Sequence, residues 1–391
     1  MKQLKKAMST ILAIFIIAGM FTSPVYSSEP EPELKAETAV LIEAETGTVL
    51  YAKAADKPMA PASLTKIMTL LLAMEELKRG RVEWDTPIAA SQRAWETGGS
   101  TMFLNIGQTA TFRQMIQGIA IVSANDACVA VAEHLFGSED AFVQQMNRRA
   151  ADLGLENTNF TNTHGLHHPD QYMSALDAAK LAAYFIKTQP EAAAYQSERE
   201  FTFNEIRQFN RNPLLGAFPG ADGVKTGSTP EAGMCLVASS IQEGMRLVSV
   251  VMNTASDQER KEDSEVLLSY GFRNYELVTI HEAGAIAAFA AVNRGRIREL
   301  PLVARQPVAA VAPRGNENYT FTEQLILANP VEAPVEAGEP IGTLQMIGPD
   351  GRVVSEVELF AAEEVERLGF FRHLFRLAGD FFAGLWRQVR S

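Results

Sequence analysis

Met234-Cys235-Leu236-Val237-Ala238-Ser239-Ser240-Ile241 is followed by Gln242-Glu243-Gly244 and then Arg246-Leu247-Val248-Ser249-Val250-Val251-Met252-Asn253. Two apolar, β-branched runs around a short Gly-containing turn predict a hairpin. A second hairpin is predicted near the start, where Ala39-Val40-Leu41-Ile42 and Val49-Leu50-Tyr51 flank Glu45-Thr46-Gly47. Between them the apolar period changes to three and four. Ile67, Leu70, Leu71 and Met74 predict a helix from near Ser63, and a second runs from Ser123 to His134 with Gly137 stopping it. Phe142, Met146 and Ala150 mark one face of a helix over 138–153. Ser174 and Asp177 resemble a capping box for a helix over 175–187, and another helix covers 257–272. Strands at both ends with helices between predict one sheet whose first and last strands lie together, covered by helices. The fold class is α/β (α+β), over residues 36–278.

The flanking segments differ in character. Lys2, Lys5 and Lys6 precede an apolar run over 11–20, and Val25-Tyr26-Ser27 offers small residues for cleavage. That run is shorter than the roughly 20 residues a membrane span requires, so 1–27 reads as an export signal and 28–35 as an acidic, Pro-rich linker. From 279 to 361 short β-branched runs alternate with Pro and Gly, and Pro349-Asp350-Gly351 forms a turn, which predicts a small all-β domain. In 362–391, Leu368, Phe371, Phe375, Ala378, Phe382, Leu385 and Val389 step by three and four, with Arg367, Arg372, Arg376, Arg387 and Arg390 mostly off that stripe. A basic amphipathic helix rich in aromatics suits an anionic membrane surface, the other reading being packing on protein. The net charge of −12 argues against nucleic-acid binding.

Three short strings occur in order: Ser63-Leu64-Thr65-Lys66, Ser123-Ala124-Asn125 and Lys225-Thr226-Gly227. Ser63 and Lys66, three apart, share a helix face about 5–6 Å from each other. A Ser hydroxyl needs a neighbouring base, and a Lys amine serves once burial or a second cation lowers its pKa, Lys225 being the candidate cation. The first two strings arise by chance in a chain of this length, Lys-Thr-Gly is rarer but alone reads as a turn into a strand, and Ser123 alone reads as a helix N-cap. Together, at two helix starts and a strand start, they have the make-up of one site. Cys128 and Cys235 lie in apolar stretches and read as buried thiols. His164, His167, His168 and Asp170 crowd one loop without the spacing of a closed metal site, so no metal and no cofactor is expected.

In these strings and their surroundings the chain resembles the low-molecular-mass penicillin-binding proteins of D-alanyl-D-alanine carboxypeptidase type, peptidase family S11. Pro61 to Thr69, Ser123-Ala124-Asn125-Asp126-Ala127, Asn162-Thr163-His164-Gly165-Leu166, and Asn210-Arg211-Asn212 ahead of Asp222 to Gly227 carry the resemblance. It implies that Ser63 attacks the carbonyl between two D-alanines ending a peptidoglycan stem peptide, with Lys66 taking its proton. Ser123 would relay a proton to the leaving amine, Asn125 would hold the substrate backbone, and Lys225, Thr226 and Arg211 its carboxylate. The N–H groups of Ser63 and Ser228 would form the oxyanion hole beside Gly227. β-Lactams would acylate Ser63. It further implies an exported enzyme held by its terminal helix on the outer face of the cytoplasmic membrane. Ser228 stands where some members carry His, which touches deacylation rather than the core roles. A serine β-lactamase is the nearest alternative, opposed by the β domain, the terminal helix and the lack of a Glu-x-x-Leu-Asn string. A non-catalytic cell-wall-binding module is the other.

Overall fold

The computed structural model describes residues 30–316, 318–327 and 329–369, so the expected signal and the terminal helix beyond 369 lie outside the described residues. The two predicted hairpins and one further strand form one five-stranded antiparallel sheet. Its order is Val49–Lys53, Thr38–Glu43, Met245–Thr254, Gly233–Gln242 and Ala221–Thr229. The first and last segments meet where Val40 faces Val250 and Ile42 faces Val248. The fifth strand, carrying Lys225-Thr226-Gly227, pairs with Val237, Leu236 and Cys235 and is left at the sheet edge. An edge strand has one row of backbone groups free to pair with an extended ligand.

Helices cover both faces. The Lys66–Lys78 helix is apolar nearly all round, and Ile67, Met68, Leu70, Leu71 and Leu72 are fully buried. A helix without a polar face belongs in the centre of a domain, and this one runs through the larger core with Val129, Phe142, Met146 and Phe185 around it. Truncating one of these large side chains to Ala costs about 2–5 kcal/mol. The Asp257–Asn274 helix packs Leu267, Leu268 and Tyr270 on the opposite face against Leu41, Leu247 and Val251.

Several boundaries depart from expectation for local reasons. The second motif does not start its helix at Ser123. A π-helical turn over Gly118–Val122 ends in Ser123 with φ of 65°, and the helix spans Asn125–Phe136. Ser123 is therefore no N-cap. Ser174 does cap the Ala175–Thr188 helix, accepting from Asp177 N. The reciprocal half of the box is absent, because the Asp177 carboxylate turns instead to Asn157 N and Thr158 Oγ1, both at 2.8 Å.

The C-terminal part is all-β, as expected. Tyr275–His281 pairs with Val308–Pro313, so the expected division after Val278 falls inside a strand. A six-stranded sheet follows, around Leu300, Leu302, Leu344, Met346 and Leu359. The two parts are joined by Thr48 Oγ1 donating to Val354 O at 2.8 Å and by an Arg314–Glu243 ion pair at 3.0 Å.

Candidate active site

The three motifs meet at the edge strand. Ala62–Thr65 forms a 3₁₀ turn leading into the central helix, which places Ser63, half-buried, one turn before the fully buried Lys66. Lys66 Nζ lies 3.2 Å from Ser63 Oγ and donates to His164 O at 2.6 Å. Burial lowers its pKa from 10.5 to about 8, Arg211 adds to the lowering, and Cys128 and Asp126 oppose it. At pH 7 about a tenth of such amines are neutral, against fewer than about one in a thousand for an ordinary Lys. With one N–H engaged by a carbonyl, the neutral amine has a lone pair for the hydroxyl proton. That is the arrangement of an activated nucleophile.

Gly227 brings the third motif against the first. A Cβ there would lie 3.1 Å from both Ala62 Cβ and Pro61 O, tighter than ordinary contact, so glycine lets the edge strand lie close against the turn that carries Ser63. Lys225 is buried, Thr226 nearly so, and Ser228 is exposed at the strand's outer end. Burial holds the Lys225 amine well below its ordinary range, and Lys66, Arg211 and Arg260 push the same way. Arg211 is exposed and close enough to act electrostatically on Lys66 and Lys225. Its neighbours pin it: Asn210 Nδ2 donates to Gln196 O and Glu198 O, and Asn212 Nδ2 to Gly223 O.

The second motif supplies two open polar groups. Ser123 and Asn125 are 4% and 3% exposed, yet Ser123 Oγ and Asn125 Oδ1 have no partner among the described residues. Buried polar atoms without partners are costly, and two of them beside the nucleophile's base point to a ligand. Asn125 Nδ2 donates to Gly98 O at 2.6 Å, which fixes the amide with Oδ1 as the open acceptor. Ser123 and Ala62 both have φ in the left-handed region, at 65° and 50°. Strain of this kind concentrates at functional sites.

Sequence reasoning assigned no role to the His164 main chain. The Asn162–Leu166 loop is held by Glu139, which accepts from Thr163 N and Oγ1. Gly165 has φ of 89°, and a Cβ there would sit 1.7 Å from Ala62 O. The loop is thus packed on the nucleophile's own turn, and the one Gly in that string was the available signal. His164 is buried, which pushes its ring down to about 4, while His167 and His168 are exposed. Cys128 and Cys235 are buried free thiols, pushed up to about 12 and about 11 by that burial.

The family model of D-alanyl-D-alanine carboxypeptidases, peptidase family S11, matches residues 25–256. The model of the penicillin-binding protein 5 C-terminal domain matches residues 275–367. D-alanyl-D-alanine carboxypeptidase DacF of Bacillus subtilis is 35% identical over 387 residues, covering 97% of this chain and 99% of that relative. DacC of Escherichia coli is 38% identical over 352 residues, 87% of this chain and 86% of the relative. The crystal structure of penicillin-binding protein 5 from Haemophilus influenzae superposes with a TM-score of 0.77 at 36% identity, covering 87% of this chain and 100% of that one. The chain therefore belongs to the D-alanyl-D-alanine carboxypeptidases of peptidase family S11.

Proposed function

We propose that the chain is a serine-type D-alanyl-D-alanine carboxypeptidase acting through an ester at Ser63. The substrate is a peptidoglycan stem peptide ending in D-Ala-D-Ala. Neutral Lys66 takes the Ser63 hydroxyl proton as Oγ attacks the penultimate D-alanine carbonyl. The resulting oxyanion faces the N–H groups of Ser63 and Ser228, and each such donor is worth about 10²–10³ in rate. Collapse breaks the peptide bond, and the proton passes from Lys66 through Ser123 to the departing D-alanine nitrogen. Asn125 Oδ1 accepts from the substrate backbone. Water then attacks the ester, returning the Ser63 hydroxyl and a shortened peptide with a new carboxylate.

The observation that carries this reading is the amine of Lys66, buried between Ser63 Oγ and His164 O with its pKa at about 8. The cations Lys225, Arg211 and Arg260 repel one another electrostatically. A terminal substrate carboxylate relieves that repulsion, which supports a carboxypeptidase over an internal endopeptidase. β-Lactams present a carboxylate and a reactive amide to the same groups, so they act as slowly released acylating agents. The N-terminal signal pattern and the basic stripe of Arg372, Arg376, Arg387 and Arg390 support an exported enzyme bound peripherally to the outer face of the cytoplasmic membrane.

The test is acylation by a fluorescent penicillin, followed by peptide mapping. One label per chain on Ser63, lost in Ser63→Ala and released slowly, is expected. Label on another residue removes the nucleophile assignment, and rapid repeated hydrolysis makes the protein a β-lactamase.

A further inference from the structure

Asp126 follows the second motif directly, is 1% exposed, and has no part in the chemistry above. Its carboxylate accepts from Met102 N at 3.0 and 3.2 Å, Leu104 N at 3.1 Å and Ala127 N at 2.9 Å. The last is at the N-terminal turn of its own helix, where an anion is favoured. The other two belong to a loop 22 and 24 residues earlier. Phe103, between them, has φ of 63° and is half exposed. A backbone with a left-handed residue points its flanking N–H groups toward one anion. Here the anion is a side chain of the protein.

The same loop grips the catalytic amide. Gly98 O accepts from Asn125 Nδ2 at 2.6 Å and Ser100 O from Asn125 N at 2.7 Å. A Cβ on Gly99 would come within 2.7 Å of Asn125 Nδ2, so the loop lies directly on that side chain. The loop's far side is tied to a hairpin by Gln208 Nε2 donating to Thr101 O and Asn204 Nδ2 to Phe103 O. Loop, amide and carboxylate thus close a ring in which Asp126 bridges the motif helix to both flanks of Phe103.

We infer that Asp126 is a positioning residue for the reaction: its buried carboxylate latches the 98–104 loop so that two loop carbonyls fix Asn125 with Oδ1 toward the substrate. This rests on the role given to Asn125 above. Asp126 also faces Lys66 electrostatically, along with Cys128, Arg211, His164 and Lys225. Of these, Asp126 is the carboxylate that holds the amine's proton on, so neutralising it moves the acid limb of the acylation profile to lower pH.

The experiment compares Asp126→Asn with wild type in the full-length protein. Acylation by a chromogenic cephalosporin is followed across pH, beside D-alanine release from diacetyl-L-Lys-D-Ala-D-Ala. An Asn places an N–H where a loop N–H must donate, so the latch opens without loss of volume. Expected are a fall of tenfold or more in plateau acylation and peptide kcat/KM, and an acid limb displaced to lower pH. A core variant remote from the motifs, Phe185→Leu, compared below the melting temperatures of both, is expected to show neither. Gly99→Ala, which leaves the carboxylate in place but presses on Asn125, is expected to reproduce the rate loss without the pH displacement. Wild-type rates and pH limb in Asp126→Asn, beside an impaired Asn125→Ala, overturn the latch. Unimpaired Asn125→Ala overturns instead the role of Asn125 itself.

Discussion

Replacing Lys66 by Met removes the general base and also the most costly ionisable group of the central helix. Its pKa falls from 10.5 in the unfolded chain to about 8 in the fold. At about 1.4 kcal/mol per unit, burying the protonated amine costs about 3 kcal/mol at neutral pH. Met fills similar volume without charge. Its own cost is the His164 carbonyl, left without the 2.6 Å bond, at about 1–3 kcal/mol for a buried unpaired acceptor. Lys66→Met is therefore expected to be as stable as wild type or more so at pH 7, while losing acylation altogether. Relief of repulsion on Lys225 adds in the same direction. The difference depends on pH. Between about 8 and 10.5 the unfolded wild-type chain binds more protons than the folded one, so wild-type stability rises with pH there. The variant's relative advantage shrinks by about 2 kcal/mol between pH 7 and pH 9.5. Urea unfolding of both proteins at the two pH values measures it. A variant less stable by more than about 2 kcal/mol at both pH values, with no pH-dependent difference, refutes a depressed Lys66 pKa.

Wild-type acylation by a chromogenic β-lactam is expected to rise with pH and level off above about 8, the neutral Lys66 fraction growing from about 1% at pH 6 to about 90% at pH 9. Stopped-flow rates across that range check it, and a flat profile would remove Lys66 as the base. Gly165→Ala forces a Cβ to within 1.7 Å of Ala62 O and 2.8 Å of Ser63 N at a φ of 89°, so acylation falls at least tenfold and thermal unfolding shifts downward. Wild-type label kinetics in that variant would show the loop to be unimportant. Deleting residues 370–391 should leave D-alanine release intact and move the protein from the membrane pellet to the supernatant. Continued pelleting would place the anchor elsewhere.

The sheet was legible because its strands carry long β-branched runs, so Val248, Val250 and Val251 announce a buried strand whatever the helices do. Pairing of the first hairpin with the second followed from the need to bury both. The nucleophile and its base were legible because Ser63 and Lys66 lie one turn apart. The second helix was read as starting at Ser123, two residues early, since the left-handed φ there depends on the π-turn that precedes it and no local pattern encodes that. The His164 carbonyl and the loop carbonyls of Gly98 and Ser100 were invisible for another reason. Main-chain acceptors carry no residue identity, so only the glycines packed against them leave a trace. Asp177 was half legible: the cap at Ser174 is local, but its carboxylate is claimed by a strand 19 residues away.

The central claim is that Ser63, activated by Lys66, removes a terminal D-alanine. Its most direct test is enzymatic detection of free D-alanine from diacetyl-L-Lys-D-Ala-D-Ala, with wild type and Ser63→Ala side by side. Release of one D-alanine per peptide by wild type, with none above background from the folded variant, is the predicted result. Equal release by both proteins, or none from a wild type that still takes up penicillin, would contradict it.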